Sequence, residues 1–361
     1  MEININETLI SKFIETKNLN ILIANIYNTY LNECRQNIDE FIVSRNSDKN
    51  NAIYYAWLEA LEIDKDDFEF SQLSRQYHLN EIKELSADDF NGDPFLRNIK
   101  KDIKSTSKWN VSLKQYAPYE CFLHDALEVK ETSFYKEISK LGYFKCSFTY
   151  IEATNKFGNI ISINPYEITI LNNELKILNG KILVVGLGLG YFSYLASLKA
   201  DINEISILEE DDSLIELFNE NVSPFICNTK ITIINDSLTN KLNDDLNQYD
   251  FIYITLPSDI NKALKKYIEY KKIELSFKKV KFIYHNEVEI LALIRRYIII
   301  LFEENLEGFT KKDYIKSKTF EDKFINALFS LLENKKFTSR SSIDNLLSDD
   351  SLKSIAQKIS I

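Results

Sequence analysis

The stretch ILVVGLGLGYFSYLAS, residues 182–197, decides how the chain is read. An apolar, β-branched run enters three alternate glycines, Gly186, Gly188 and Gly190, and an apolar-periodic segment leaves them. The 361-residue chain has only eight glycines, so three at alternate positions mark an unusual backbone. In a doubly wound sheet the first strand ends in a tight turn that opens a helix. Glycine there lets the main chain turn sharply and approach a ligand where a Cβ would intrude. The bland alternative is a strand-to-helix turn with no ligand.

The pattern around this stretch supports a layered α/β fold. From residue 180 to 300 the segments KILVVGL, EISILEE, KITIIND, YDFIYITL and KVKFIYH read as strands, separated by helical segments such as DSLIELFNENV. Strand–helix alternation with continuous apolar strands predicts a parallel sheet. Upstream, residues 1 to about 115 carry apolar spacing near 3.6, with breaks at Asn46-Ser47-Asp48 and Asn91-Gly92-Asp93-Pro94. GYFKCSFTYIEATNKFGNIISINPYEI predicts a β-hairpin around Asn155–Asn159. The expected organisation is a helical N-terminal domain (1–118), a linker with a short β-hairpin bridge (119–175), a Rossmann-like domain (176–302) and a helical C-terminal extension (303–361).

Site candidates cluster after the strands. Glu209 ends the second strand of the α/β segment, nineteen residues beyond Gly190, where dinucleotide folds place an acid on ribose hydroxyls. Glu210, Asp211 and Asp212 follow, and alternation does not settle which acid faces inward. An acidic helix N-terminus is the competing reading. Asn235-Asp236 ends the third strand, at the crevice or in an Asx-type turn. The fourth strand exits through Thr255-Leu256-Pro257-Ser258. A nicotinamide fingerprint, GxGxxG, fails because its third glycine position is Tyr191.

These elements resemble the class I S-adenosylmethionine-dependent methyltransferases. Their glycine-loop, acid-after-strand-two, Asp-after-strand-three and strand-four motifs map onto Gly186-Gly188-Gly190, Glu209, Asp236 and Thr255-Leu256-Pro257. VVGLGLG…ILEEDDSLIELF is similar to the spermidine synthase branch, and PYEI, GLGLGYFSYLAS and ILEEDDSLIELF are similar to a group of Firmicutes proteins with a methyltransferase-like domain. The resemblance covers about residues 140–300. It implies a Rossmann-like methyltransferase core with S-adenosylmethionine as cofactor. Gly186, Gly188, Gly190, Glu209, Glu210, Asn235, Asp236, Thr255 and Tyr166 would then contact the cofactor, with the acid after strand two on the ribose and the Asp after strand three facing the adenine amino group. Val184 and Thr255 depart from the pattern, which often has acids at both positions. An aminopropyltransferase acting on a polyamine and a non-catalytic ligand-binding scaffold are the alternative functions.

Other residues are weaker signals. Asn164-Pro165-Tyr166-Glu167 lacks the second proline of amino-methylating enzymes, but it leads into the helix before strand one; Asn-Pro is also a good helix start. Of three histidines, His285 follows a strand and is the acid/base candidate, with Thr255, Asp259 and Tyr253 behind it. Lys265, Lys266, Lys271, Lys272, Lys278, Lys279 and Lys281 interleave with aromatics, a pattern read as a solvated helix face. A net charge of −10 argues against nucleic acid as a partner. The expected partner is a small-molecule or protein acceptor, with a homodimer left open. Four dispersed cysteines show no metal or redox spacing, no metal site is expected, and YIIILF (297–302) is too short to span a bilayer. A cytoplasmic protein is the expectation.

Overall fold

The computed structural model describes residues 1–33, 49–64, 66–79, 81–100, 102–226, 229–243, 246–309 and 319–360. Cys34, Cys227 and the expected break at Asn46–Asp48 lie outside them. In chain order the N-terminal part runs β1 (Glu2–Ile3), α1 (Glu7–Glu33), α2 (Lys49–Ala60), α3 (Phe68–Tyr77), β2 (Lys83–Leu85), α4 (Ala87–Asn91), α5 (Pro94–Asn98), β3 (Trp109–Tyr116), β4 (Phe122–Lys130), β5 (Lys136–Phe144), β6 (Phe148–Asn155) and β7 (Ile160–Ile163). The α/β part follows as α6 (Pro165–Leu175), β8 (Gly180–Val185), α7 (Tyr191–Ser197), β9 (Ile202–Leu208), α8 (Asp212–Asn221), β10 (Lys230–Ile234), β11 (Phe251–Ile254), α9 (Ile260–Glu274), β12 (Lys281–Tyr284) and α10 (Glu287–Leu306). Helices α11 (Phe320–Leu332), α12 (Arg340–Leu347) and α13 (Asp349–Lys358), with β13 (Lys336–Phe337), complete it.

The chain is α/β, with a five-stranded parallel sheet in the order β10-β9-β8-β11-β12. The order reverses between β8 and β11, so the glycine loop after β8 lies at the switch point of the sheet. The central strands are apolar at every position that matters for packing because both faces are covered. Leu183, Val185, Ile252 and Ile254 pack with α9, α10 and the C-terminal helices on one face. Ile182, Val184, Phe251 and Tyr253 pack on the other with α6, α7, α8 and strands β3, β6 and β7. A third cluster joins α1, α2 and α3 to β4 and β5 around Trp57.

Three expectations need correction. The N-terminal region is not helical throughout, because β1, β2 and β3 fall within it. The segment expected as a linker with one hairpin holds four strands and a helix. The hairpin itself, β6 paired with β7 across Asn155–Asn159, is present, but it belongs to the sheet β3-β6-β7 beside a second sheet, β2-β5-β4. The lysine run is solvated at Lys265, Lys272, Lys278, Lys279 and Lys281, yet Lys271 is buried. Its ammonium pairs with Glu274 at 2.6 Å and lies over the Tyr284 ring, so packing overrides the exposed-face pattern. The aromatics of the run, Tyr267 and Tyr270, face the core. Among the described residues, no helix is long and apolar enough to cross a membrane.

The C-terminal helices belong to the main core. Ile343, Leu347, Leu352 and Ala356 are fully buried in the same cluster as Leu183 of β8. Buried Arg295 of α10 holds them by donating to the Leu347 carbonyl at 2.8 Å and pairing with Asp349. Leu352→Ala is therefore expected to cost about 2–5 kcal/mol of stability, the usual range for a buried leucine cavity. Urea unfolding of the full chain measures it, and a shift within error would place the extension outside the cooperative core.

Candidate functional site

The carboxyl ends of the parallel strands bring the sequence candidates into one row. Each strand's ladder continues for one bond: Glu209 N–H donates to Ile234 O at 3.2 Å, Gly186 to Leu208 O at 2.9 Å, Thr255 to Val185 O at 2.9 Å and His285 to Ile254 O at 2.8 Å. Asn235, Glu209, Gly186, Thr255 and His285 thus follow one another along the edge of the sheet. Asn235, Glu210 and Thr255 are exposed, and Gly186, Gly188 and Asp236 are half-buried. Two surface grooves, of about 510 Å³ beside α5 and about 420 Å³ between α11 and α13, are lined by none of these residues.

The three glycines serve different ends. Gly186 packs on Thr255, whose Cβ would lie 3.2 Å from an added Cβ. At Gly190 an added Cβ would come within 2.5 Å of the Phe218 ring, so this glycine is required by the packing of α7 on α8. Gly188 adopts φ +55°, and among the described residues a Cβ added there would meet only Ile161, at 3.9 Å. Here alone the loop backbone is open to an approaching group. Gly190 N–H donates to Leu187 O at 2.9 Å, and among the described residues nothing accepts from the amides of Gly188 and Leu189.

Glu209 is buried and braces this loop. One carboxylate oxygen accepts from Leu187 N–H at 2.7 Å and the other from Asp211 N–H at 2.9 Å. Burial pushes its carboxyl above the ordinary range, and the amide hydrogen bonds oppose that shift. Each oxygen keeps a second lone pair for a further donor. Asp211 caps α8, accepting from Ser213 N–H at 2.9 Å, which settles the role of one of the four acids. Asn235 donates its amide to Asp212. Asp236 accepts from the Asn240 side chain and from Ser237 N–H, both at 2.8 Å. Those bonds, Asn240's first, hold its carboxyl below the ordinary range. Asp236 is therefore engaged locally, through the next residue and Asn240, with its other oxygen 3.9 Å from the Lys241 ammonium.

At the other end of the row the acid/base candidates are committed elsewhere. Asp259 caps α9 by accepting from Lys262 N–H at 2.8 Å. Tyr253 is fully buried and stacked on Phe192 with ring centroids 3.6 Å apart. His285 lies between two carboxylates of α6, with Nε2 3.1 Å from Glu167 and Nδ1 3.0 Å from Glu174. Burial pulls the imidazole pKa down, but the hydrogen bonds to Glu167 and Glu174 overrule it, pushing it up to about 10. So held, His285 favours its protonated form, which opposes the base half of the acid/base expectation and leaves the acid half standing. Tyr166 is also engaged, donating to Glu289 at 2.5 Å and accepting from Asn286 at 2.8 Å, so its hydroxyl is committed to the α6–α10 junction.

Two participants escaped the sequence reading. Glu174 lies two helical turns beyond Glu167 on the same face of α6, a spacing that signals a shared face but not a histidine partner. Asp93 caps α5 and accepts from the Tyr191 hydroxyl at 2.8 Å, tying the N-terminal region to the helix that follows the glycine loop. Its Asp-Pro signature marks only the cap.

Gly190→Ala is expected to lower stability by about 1–3 kcal/mol through overpacking. Gly188→Asn, in a left-handed conformation that asparagine tolerates, should leave the unfolding midpoint near wild type. Equal losses in both variants would contradict the division of roles. For His285, nuclear magnetic resonance of the imidazole should show titration near 10. Because the folded-state pKa is raised, the stabilisation it gives over His285→Gln is fully present below about 6.5 and is lost as pH rises through about 10. A stability difference that does not change with pH would dismiss the paired imidazolium. No protein-family model matches this chain and a search of curated proteins finds no match, so the functional reading rests on the chemistry of the site.

Proposed function

We propose that residues 176–302 form a Rossmann-like core of the class I methyltransferase type that binds S-adenosylmethionine and passes its methyl group to an acceptor presented beside Thr255. The observation that carries this reading is the Gly188 surface: an open glycine with two unpaired amides, braced by Glu209, at the switch point of a parallel sheet. A Cβ at that position would fill the cradle. The remaining lone pairs of Glu209 suit ribose hydroxyls, and Asp236, one strand further, suits an exocyclic amine. The cofactor, when bound, supplies a methyl group on an already activated sulfonium. The chain's part is to hold the two reactants in line, which accounts for much of the acceleration in transfers of this kind.

A second reading is favoured by the fate of the acid/base candidates. With His285 protonated between glutamates and Asp259 spent on a helix cap, the row lacks a free general base. Acceptors that need proton removal are then disfavoured, and a chain that binds the nucleoside without transferring its methyl group is the coherent alternative.

Calorimetric titration with S-adenosylmethionine, S-adenosylhomocysteine and decarboxylated S-adenosylmethionine tests the nucleoside site that both readings share, and release of S-adenosylhomocysteine on turnover tells transfer from binding alone. Binding of the first two supports the methyltransferase core. Preference for the decarboxylated form indicates aminopropyl transfer, and absence of binding by all three refutes a nucleoside site. Glu209→Ala is expected to weaken binding by about 1–3 kcal/mol, the cost of losing a hydrogen bond to a buried charged group.

A further inference from the structure

We infer that the nucleoside site is composite, with β7 of the N-terminal unit supplying its second wall and Ile161 as the side chain that sets ligand fit. This rests on the nucleoside reading of the glycine loop and extends it to a segment that the sequence presents as a bridge.

The argument starts from strand alternation. Ile161 and Ile163 point to the same face of β7, with Ala153 and Ile151 opposite them on β6. Along this face Ile163 and Ile151 are sealed in the core, at 2% and 0% exposure. Ile161 is only half-buried, and it is the side chain that reaches the glycine loop. Among the described residues, its Cγ2 is the only atom that an added Cβ at Gly188 would meet within 4 Å. The loop's open glycine and the strand's half-exposed isoleucine therefore border the same surface, polar on the amide side and apolar on the other.

The hairpin is built to hold that position. Asn155 Oδ1 accepts from both Phe157 N–H and Asn159 N–H at 3.0 Å, fixing the turn. Asn164 caps α6 immediately after β7, accepting from Glu167 N–H at 3.0 Å. α6 is in turn bound to the strand ends through Glu167, Glu174 and His285. Ile161 is thus pinned on both sides. A branched alkyl side chain offers no hydrogen bond, so it selects by shape and contact area. It acts on what S-adenosylmethionine and S-adenosylhomocysteine share, the thioether-linked nucleoside, and not on the sulfonium charge.

Calorimetric affinities of both compounds for wild type, Ile161→Val, Ile161→Ala and Ile160→Ala test this, with unfolding midpoints as a check on folding. Ile160 is the neighbour on the opposite face of β7 and is 52% exposed. Ile161→Ala should weaken both compounds about tenfold and to the same extent, Ile161→Val should fall between it and wild type, and Ile160→Ala should stay within about twofold. Wild-type binding that Ile161→Ala leaves unchanged overturns the second wall alone. A wild type that binds neither compound overturns the nucleoside reading and this inference with it.

Discussion

The row at the strand ends depends on one buried carboxylate. Glu209 sits at the end of β9, yet its two oxygens grip amides on either side, Leu187 in the glycine turn and Asp211 at the start of α8. A charged group so placed is tolerated because it is hydrogen-bonded on both oxygens; hydrogen bonds to a charge contribute about 1.5–3 kcal/mol each. The same contacts brace the loop that carries the Gly188 and Leu189 amides, for which no acceptor is found among the described residues. The proposed ribose contact and the loop geometry therefore share a residue, and neither can be changed without the other.

The opposite end of the row is organised by charge of the other sign. Two glutamates on one face of α6 hold a histidinium at the end of β12, and Asn286, the next residue, donates to Tyr166 on the same helix. Asn286 N–H also donates to Glu174 at 2.9 Å. A helix before the first strand is thereby bolted across the ends of the fourth and fifth. Half-buried ion pairs of this sort contribute more to fixing geometry than to net stability. The result is a rigid ledge whose polar side chains are mostly satisfied by one another.

Much of this was legible in the sequence, and the limits are physical. The five parallel strands announce themselves because strands covered on both faces must be continuously apolar, as in KILVV and FIYI. The glycine turn is legible because only glycine suits it. By contrast β3 (WNVSLKQY) and β4 (FLHDALEVK) carry charged and polar residues on partly exposed faces, and such runs imitate helix or loop. Row membership of Glu209, Thr255 and His285 followed from strand ends. The protonation of His285 did not, because its partners lie 111 and 118 residues away. Asp236 shows the same limit from the other direction: a local turn was readable beside the crevice role, and a single sequence does not say which prevails, while the capping role of Asp259 came only from the structure.

The pairing of β1 with β13 joins residues 2–3 to residues 336–337. Helix α1 enters the same apolar cluster as α11, α12 and α13 through Ile10 and Phe13. The hydrophobic face of the parallel sheet is consequently unsealed until the last of these helices has emerged from the ribosome. Contacts so distant along the chain form late, after most of the loop-closure entropy has been lost. During synthesis that face is an apolar surface awaiting its cover, the kind of transient exposure that favours aggregation.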